Sequence, residues 1–377
     1  MSIEKDHAGE GTSKLSDDHG PADLFRPLTI RGVTFRHRVA MSPMCQYSSA
    51  DGMANDWHLV HLGSRAAGGV ALVMVEASAV TRDGRITPGD MGIWDDRHID
   101  PLARIVRFVE SQGAVPGIQL AHAGRKASCD VPWKGGKSLK TEAEGGWTVV
   151  GPSPIPFSEG DPVPVPLDEP GIDGIVAAFE AAARRALAAG FQLIEIHAAH
   201  GYLLHEFLSP LANHRTDRYG GSLDNRMRLA LRVAGQLRSI LPDSMPLFVR
   251  VSATDWVEGG WDIDQSIVLA GELRKLGVDL IDVSSGAIAP HVKIPAGPSY
   301  QVPFAARIRA EAGIRTGAVG MITDPDQARS IITRGDADMV LLARELLREP
   351  YWVIKAQQHC GEEPLWPVQY GYAVKRR

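Results

Sequence analysis

The chain has 377 residues, 44% hydrophobic and 23% charged, which is an ordinary globular balance and enough length for one large α/β barrel or two medium domains. A formal net charge of -5 and a pI near 6.2 argue against nucleic acid or an anionic membrane as partner, since both favour a basic patch. The three scattered cysteines, Cys45, Cys129 and Cys360, exclude a disulfide framework and a Cys-x-x-Cys metal site, and they fit a reducing cytoplasm. No apolar run of about 18 residues is present, and the start lacks the basic-then-apolar pattern of a secretory signal.

In chain order, Met1–Ala22 is polar, with almost no apolar content, and reads as a disordered tail ahead of a single domain over 23–377. Strand-like runs follow at Arg38–Met44, Gly69–Glu76, Val115–His122, Phe191–His197, Leu247–Val251, Leu280–Ser284, Arg315–Val319 and Met339–Ala343. Between most of them, apolar residues recur at spacings of three and four, over Pro101–Gln112, Asn225–Leu241, Asp264–Leu276, Gln301–Ala312 and Pro325–Thr333. Ile175, Phe179, Ala182, Ala183, Ala186 and Leu187 form another such stripe, and Gly190 follows it as a C-cap. Eight strand-helix alternations without a second compositional block favour a single (β/α)8 TIM barrel. The segment Ala123–Pro170, rich in Pro and Gly and carrying Trp133 and Trp147, reads as a lid insertion after the third strand.

Several runs finish in polar or reactive residues: Cys45, Glu76, His122, His197, Arg250 and Ser284. A parallel barrel would gather these at the C-terminal rim, where its chemistry sits. The densest stretch is His197-Ala-Ala-His200-Gly-Tyr202, two imidazoles and a phenol within six residues. That set suits a substrate developing oxyanion or enolate charge. A structural role or half of a metal site would also explain it, although no His-Glu-x-x-His pattern supplies a zinc helix. The seventh run leads into Gly317-Ala-Val-Gly320 and the eighth into Ala343-Arg344, the place where such barrels hold phosphate. No Gly-x-Gly-x-x-Gly follows the early strands, so a phosphorylated cofactor in the barrel mouth fits better than a Rossmann domain. Pattern alone leaves flavin mononucleotide (FMN), pyridoxal phosphate and a sugar phosphate open, and a non-redox barrel lyase with a phosphorylated substrate would use the same site.

Seven ordered blocks carry a resemblance: Ser42-Pro-Met-Cys45-Gln-Tyr47-Ser, Glu76-Ala-Ser, Gly117-Ile-Gln119-Leu-Ala-His122-Ala-Gly-Arg125-Lys, His197-Ala-Ala-His200-Gly-Tyr202-Leu, Asn213-His-Arg-Thr-Asp-Arg-Tyr-Gly-Gly221-Ser, Phe248-Val-Arg250-Val-Ser and Arg344-Glu-Leu-Leu. Over about Leu24–Tyr370 the chain resembles the Old Yellow Enzyme family, and within it the compact bacterial branch of NADPH-dependent ene reductases. The resemblance implies an FMN-containing barrel in which NADPH reduces the flavin and an activated alkene (an α,β-unsaturated carbonyl, maleimide or nitro compound) then takes the hydride from flavin N5. Xenobiotic reduction of nitro compounds or nitrate esters is the neighbouring activity. His197 and His200 would bind the substrate oxygen, Tyr202 would protonate the α-carbon, Tyr47 would add a second hydroxyl, and Cys45 would lie against the flavin ring. Gln119 and Arg250 would hold the pyrimidine edge, Ser42, Pro43, Met44 and Ala77 would pack on the ring, and Gly320, Ala343 and Arg344 would hold the phosphate. Two departures stand out. Ala343 replaces the usual glycine, which requires a negative φ there. The C-terminal tail, about 364–377, has no arginine where the family reaches into a neighbouring subunit's site, so Tyr372 or Arg376 would take that role in a homodimer or homotetramer.

Overall fold

The barrel walls come from eight apolar segments whose residues alternate between an inner and an outer face. The computed structural model of the protein describes residues 22–374; the expected tail, Ala22 apart, and Arg376 lie outside the described residues. The wall strands are β3 (Val39–Met41), β4 (Leu72–Ala79), β5 (Val115–Ala121), β8 (Leu193–Ala198), β9 (Leu247–Ser252), β10 (Leu280–Ser284), β11 (Arg315–Ala318) and β12 (Met339–Leu342). All pair in parallel and close on themselves, β12 against β3. The expected (β/α)8 barrel is therefore the observed fold.

The strand ends differ from expectation for local reasons. β3 stops at Met41, not Met44, because Pro43 has no N–H to give to the ladder. β4 begins at Leu72, not Gly69, which sits at φ +97, outside any strand conformation; it then continues past Glu76 through an irregularity between Val75 and Ser78. β12 ends at Leu342, since Ala343 turns out of the sheet.

Outside the wall lie α1 (Asp56–Ala67), α2 (Ile99–Ser111), α3 (Glu169–Ala189), α5 (Leu223–Ile240), α6 (Ile263–Lys275), α7 (Val302–Ala312) and α8 (Pro325–Thr333). α4 (Leu203–Leu208), α9 (Arg344–Arg348) and α10 (Trp352–His359) are shorter additions. Gly190 caps α3 at φ +91, a left-handed conformation that only glycine adopts without penalty. Inward residues Leu72, Met74, Leu193, Phe248, Leu280, Met339 and Leu341 fill the lower barrel. The hairpin of β1 (Leu28–Ile30) and β2 (Val33–Phe35) plugs its floor with Leu28, Ile30 and Phe35, each almost wholly buried. The outer apolar faces pack under the helices in a second, larger core. Residues 122–168, between β5 and α3, carry only short turns and the two-residue pair β6 (Val150–Gly151) and β7 (Val165–Pro166). With much of its floor closed by apolar packing, the barrel gathers His197, Arg250, Asp282 and Ser284 toward its upper end.

Candidate active site

A period of two along each strand carries the inner face from hydrocarbon to polar groups. β8 presents Leu193, Glu195 and His197; β9 presents Phe248, Arg250 and Ser252; β10 presents Leu280, Asp282 and Ser284. Parallel register sets Gln119 beside Glu195, His197 beside Arg250, and Arg250 beside Asp282. Arg250 Nη1 donates to Ser42 Oγ at 3.0 Å and its Nε lies 3.2 Å from Asp282 Oδ2. Gln119 Nε2 donates to Glu195 Oε1 at 2.8 Å. Burial, reinforced by Asp282, pushes the Glu195 carboxyl up to about 8. Burial also raises Asp282, against the pull of Arg250. A single guanidinium thus sits on a floor of two buried acids, one of which keeps its proton near neutrality.

Above that floor the chain leaves β8 through a tight turn. His200 has φ +59 and Gly201 φ +71, so two successive residues are left-handed. The His197 ring centroid lies 5.1 Å from that of His200 and 5.1 Å from that of Tyr202. Among the described residues His197 Nδ1 is buried without a hydrogen-bond partner, whereas His200 Nε2 lies 2.7 Å from Ser284 Oγ. Burial and the Arg250 charge hold both imidazoles well below their usual range, so both are neutral at physiological pH. Burial raises the Tyr202 phenol well above its usual range, with Cys45 and Tyr47 adding to it, and keeps it protonated.

Cys45 and Tyr47 lie on the half-buried loop after β3, with Pro43 and Met44. Glu76 ties that loop down: its Oε1 accepts the Gln46 N–H at 2.9 Å. Tyr47 is left-handed at φ +51, and its ring meets Trp133 edge-on at 6.1 Å. Burial, then Asp90 and Glu76, pushes the Cys45 thiol well above its usual range, so it stays a neutral thiol. Ala77 is buried at the irregularity in β4.

Gly320, Ala343 and Arg344 line a separate cavity of about 360 Å³ with Ser284, Gln301, Val319 and Arg348. Gly320 is at φ +120, and a Cβ there would come within 2.8 Å of Gln301 Nε2. Ala343 has the negative φ, -107, that the alanine requires. Tyr372 is 94% exposed, beyond a turn in which Trp366 stacks on Tyr351 at 6.2 Å. His197, His200 and Tyr202 are thus brought together, Ser42 is joined to Arg250, and Gly320 to Arg344, while Tyr372 stands apart from all of them.

Sequence reading did not single out Glu195, Asp282, Gln301, Lys126 or His205. Acids inside apolar runs, two positions before a polar strand end, were the available signal for the first two. Gln301 bridges Ser285 and Val319 from the start of α7, and only the fold brings these groups together. Among the described residues no group of three His, Cys, Asp or Glu could hold a metal, and no helix is long and apolar enough to cross a membrane.

A family profile described as the NADH:flavin oxidoreductase / NADH oxidase family matches residues 23–363. NADPH dehydrogenase of Bacillus licheniformis is 49% identical over 352 residues, 93% of this chain and 98% of that protein. The Bacillus subtilis NADPH dehydrogenase is 48% identical over 349 residues, 92% of this chain and 98% of that protein. Among solved structures, morphinone reductase superposes with a TM-score of 0.76 at 26% identity, covering 92% of each chain. An old yellow enzyme homologue from Zymomonas mobilis shares the fold at a TM-score of 0.75 and 23% identity, over 91% of this chain and 96% of its own.

Proposed function

We propose, for a chain that belongs to the NADH:flavin oxidoreductase / NADH oxidase family and within it to the Old Yellow Enzyme family, that the barrel mouth reduces activated carbon-carbon double bonds. The chain is an oxidoreductase whose cofactors are FMN and NADPH. Its residues fit that flavin. Arg344 has no ion pair among the described residues and borders the cavity beside Gly320, as a phosphate would require. Arg250 and Gln119 cap the floor where a polar ring edge would rest. Bound FMN supplies the hydride chemistry, accepting from NADPH and donating to the substrate.

The single observation that carries the proposal is the neutral state and mutual closeness of His197, His200 and Tyr202. Neutral imidazoles donate hydrogen bonds to a carbonyl or nitro oxygen, and those bonds strengthen as the oxygen gains enolate character. On His200 a substrate oxygen competes with Ser284 for Nε2. Tyr202 retains its proton until a carbanion-like carbon is basic enough to take it. Tyr47 and the neutral Cys45 thiol border the substrate, the thiol as a polarizable wall. Trp133 and residues 123–170 would form the lid, and the exposed Tyr372 would reach a neighbouring subunit in a homodimer or homotetramer. The test is a Tyr202→Phe variant followed through both half-reactions: only the step that consumes alkene should slow. Equal slowing of flavin reduction would remove the tyrosine from its role.

A further inference from the structure

Resting on the oxygen site just proposed, we propose that the buried His205–Asp255 pair is its positioning device, which holds the left-handed His200–Gly201 turn by accepting the Gly201 N–H on a neutral His205 ring. Both side chains are completely buried, and neither belongs to the residues assigned above to flavin or substrate. His205 Nδ1 lies 2.9 Å from the Gly201 N–H. An imidazole nitrogen that accepts carries no proton, so the ring proton is on Nε2. Nε2 lies 2.9 Å from Asp255 Oδ1, close enough for electrostatic attraction but too bent to count as a hydrogen bond, and neither atom has a hydrogen-bond partner among the described residues. Asp255 Oδ2 accepts from Ser209 Oγ at 2.6 Å and from the Trp261 N–H at 2.7 Å. Asp255 is therefore anchored through Oδ2, which leaves Oδ1 against Nε2 as the carboxylate oxygen that favours the ring proton on that nitrogen.

The turn needs this restraint. A left-handed non-glycine residue costs about 1 kcal/mol or more and persists only where its surroundings over-determine it. His200 N–H donates to Ser252 Oγ at 3.0 Å and His200 O accepts from Lys126 Nζ at 2.8 Å. A Cβ at Gly201 would come within 2.2 Å of Ala287 O, so the turn is pressed against its neighbour on the other side. Gly201 N is the remaining donor, and His205 takes it. A buried imidazole–carboxylate pair is often replaceable by hydrocarbon without loss of stability, so its presence one turn beyond Tyr202 points to geometry as its purpose.

Asp255→Asn reverses the logic. The Trp261 N–H demands the Asn oxygen, which turns the amide NH2 toward His205 Nε2, moves the ring proton to Nδ1 and sets it against the Gly201 N–H. With histidine-labelled holoenzyme, 15N spectra should show the Nε2–H tautomer of His205 in the wild type and the Nδ1–H tautomer in Asp255→Asn. Binding of 4-nitrophenolate to the oxidised holoenzyme should weaken about tenfold in that variant, with FMN content unchanged. His205→Asn, whose oxygen replaces Nδ1, should keep phenolate affinity within about threefold, while His205→Gln, which replaces only Nε2, should lose about tenfold. An unchanged tautomer in Asp255→Asn, or equal affinities in the two His205 variants, overturns the proposal. If the wild type takes no phenolate, the oxygen-site reading fails, and the tautomer spectra still decide whether the pair holds the turn.

Discussion

A phenol that stays protonated beside a neutral imidazole can do one thing well, which is to give its proton late. Tyr202→Phe removes that proton while keeping the ring packed beside His197. The expected loss is about 100-fold or more in alkene-dependent flavin reoxidation under stopped flow, with the NADPH half-reaction nearly unchanged. Arg344→Ala addresses the other end of the site. On the proposed reading, in which Arg344 holds the FMN phosphate, the variant should bind FMN about tenfold or more weakly, read by flavin fluorescence on dilution, and should stay folded. At this scale the sequence was most legible where a reactive residue ends an apolar run: His197, Arg250 and Ser284 lie at the upper ends of their strands. Gln119 and the flavin-edge role of Arg250 came from family resemblance, because a glutamine within a strand carries no signal of its own. His205 and Asp255, 50 positions apart in the chain, meet only through α4 and the loop after β9.

Elements were legible through period and punctuation. The eight barrel strands fall inside or within a few residues of the apolar runs, and Gly190 ends α3 where the stripe of Ile175, Phe179 and Ala186 stops. α1 escaped notice because it exposes Trp57 and Val60 while burying His58, His61 and Arg65, which inverts the usual stripe. Its capping box uses His58 where glutamate or glutamine is usual. β3 and β12 end just before Ser42 and Ala343: the Ser42 N–H still reaches Leu342 O at 2.9 Å while its hydroxyl meets Arg250, and Ala343 borders the cavity of Gly320 and Arg344. One glycine tests how tightly such an element is set. Gly124, at φ +61, would place a Cβ 2.0 Å from Glu206 Oε1 and 3.0 Å from the Leu203 backbone. Gly124→Ala should destabilise the protein by about 2–3 kcal/mol in urea unfolding, because neither the left-handed backbone nor the buried carboxyl can yield cheaply.

For the molecule as a whole, the buried ionisable groups set a pH signature. Burial pushes Glu76, Glu195 and Glu206 up to about 8, so between their unfolded values near 4.5 and about 8 the folded state binds more protons than the unfolded chain. Their contribution to stability is full below about 4.5 and is lost as pH rises through about 8. Buried His58 and His122, held down to about 4 by desolvation, have the opposite sign, and their effect is complete once pH passes about 6.5. Unfolding free energies from urea titrations should therefore fall between about pH 6.5 and 8, by an order of 1–2 kcal/mol per carboxyl. Glu206→Gln, an isostere of the neutral acid, should flatten that fall; an unaltered slope would mean that Glu206 is ionised throughout. The closed barrel was legible from the count and alternation of runs, whereas the C-terminal segment was not, since Tyr372 is so exposed that nothing within one chain fixes its place. The central claim, reduction of activated alkenes, is tested most directly by reducing the holoenzyme's FMN with NADPH under anaerobic conditions and adding 2-cyclohexenone, N-methylmaleimide or a nitroalkene. Rapid return of the oxidised flavin spectrum with formation of the saturated product is the predicted result. A flavin that NADPH reduces but that no member of the panel reoxidises would contradict the account.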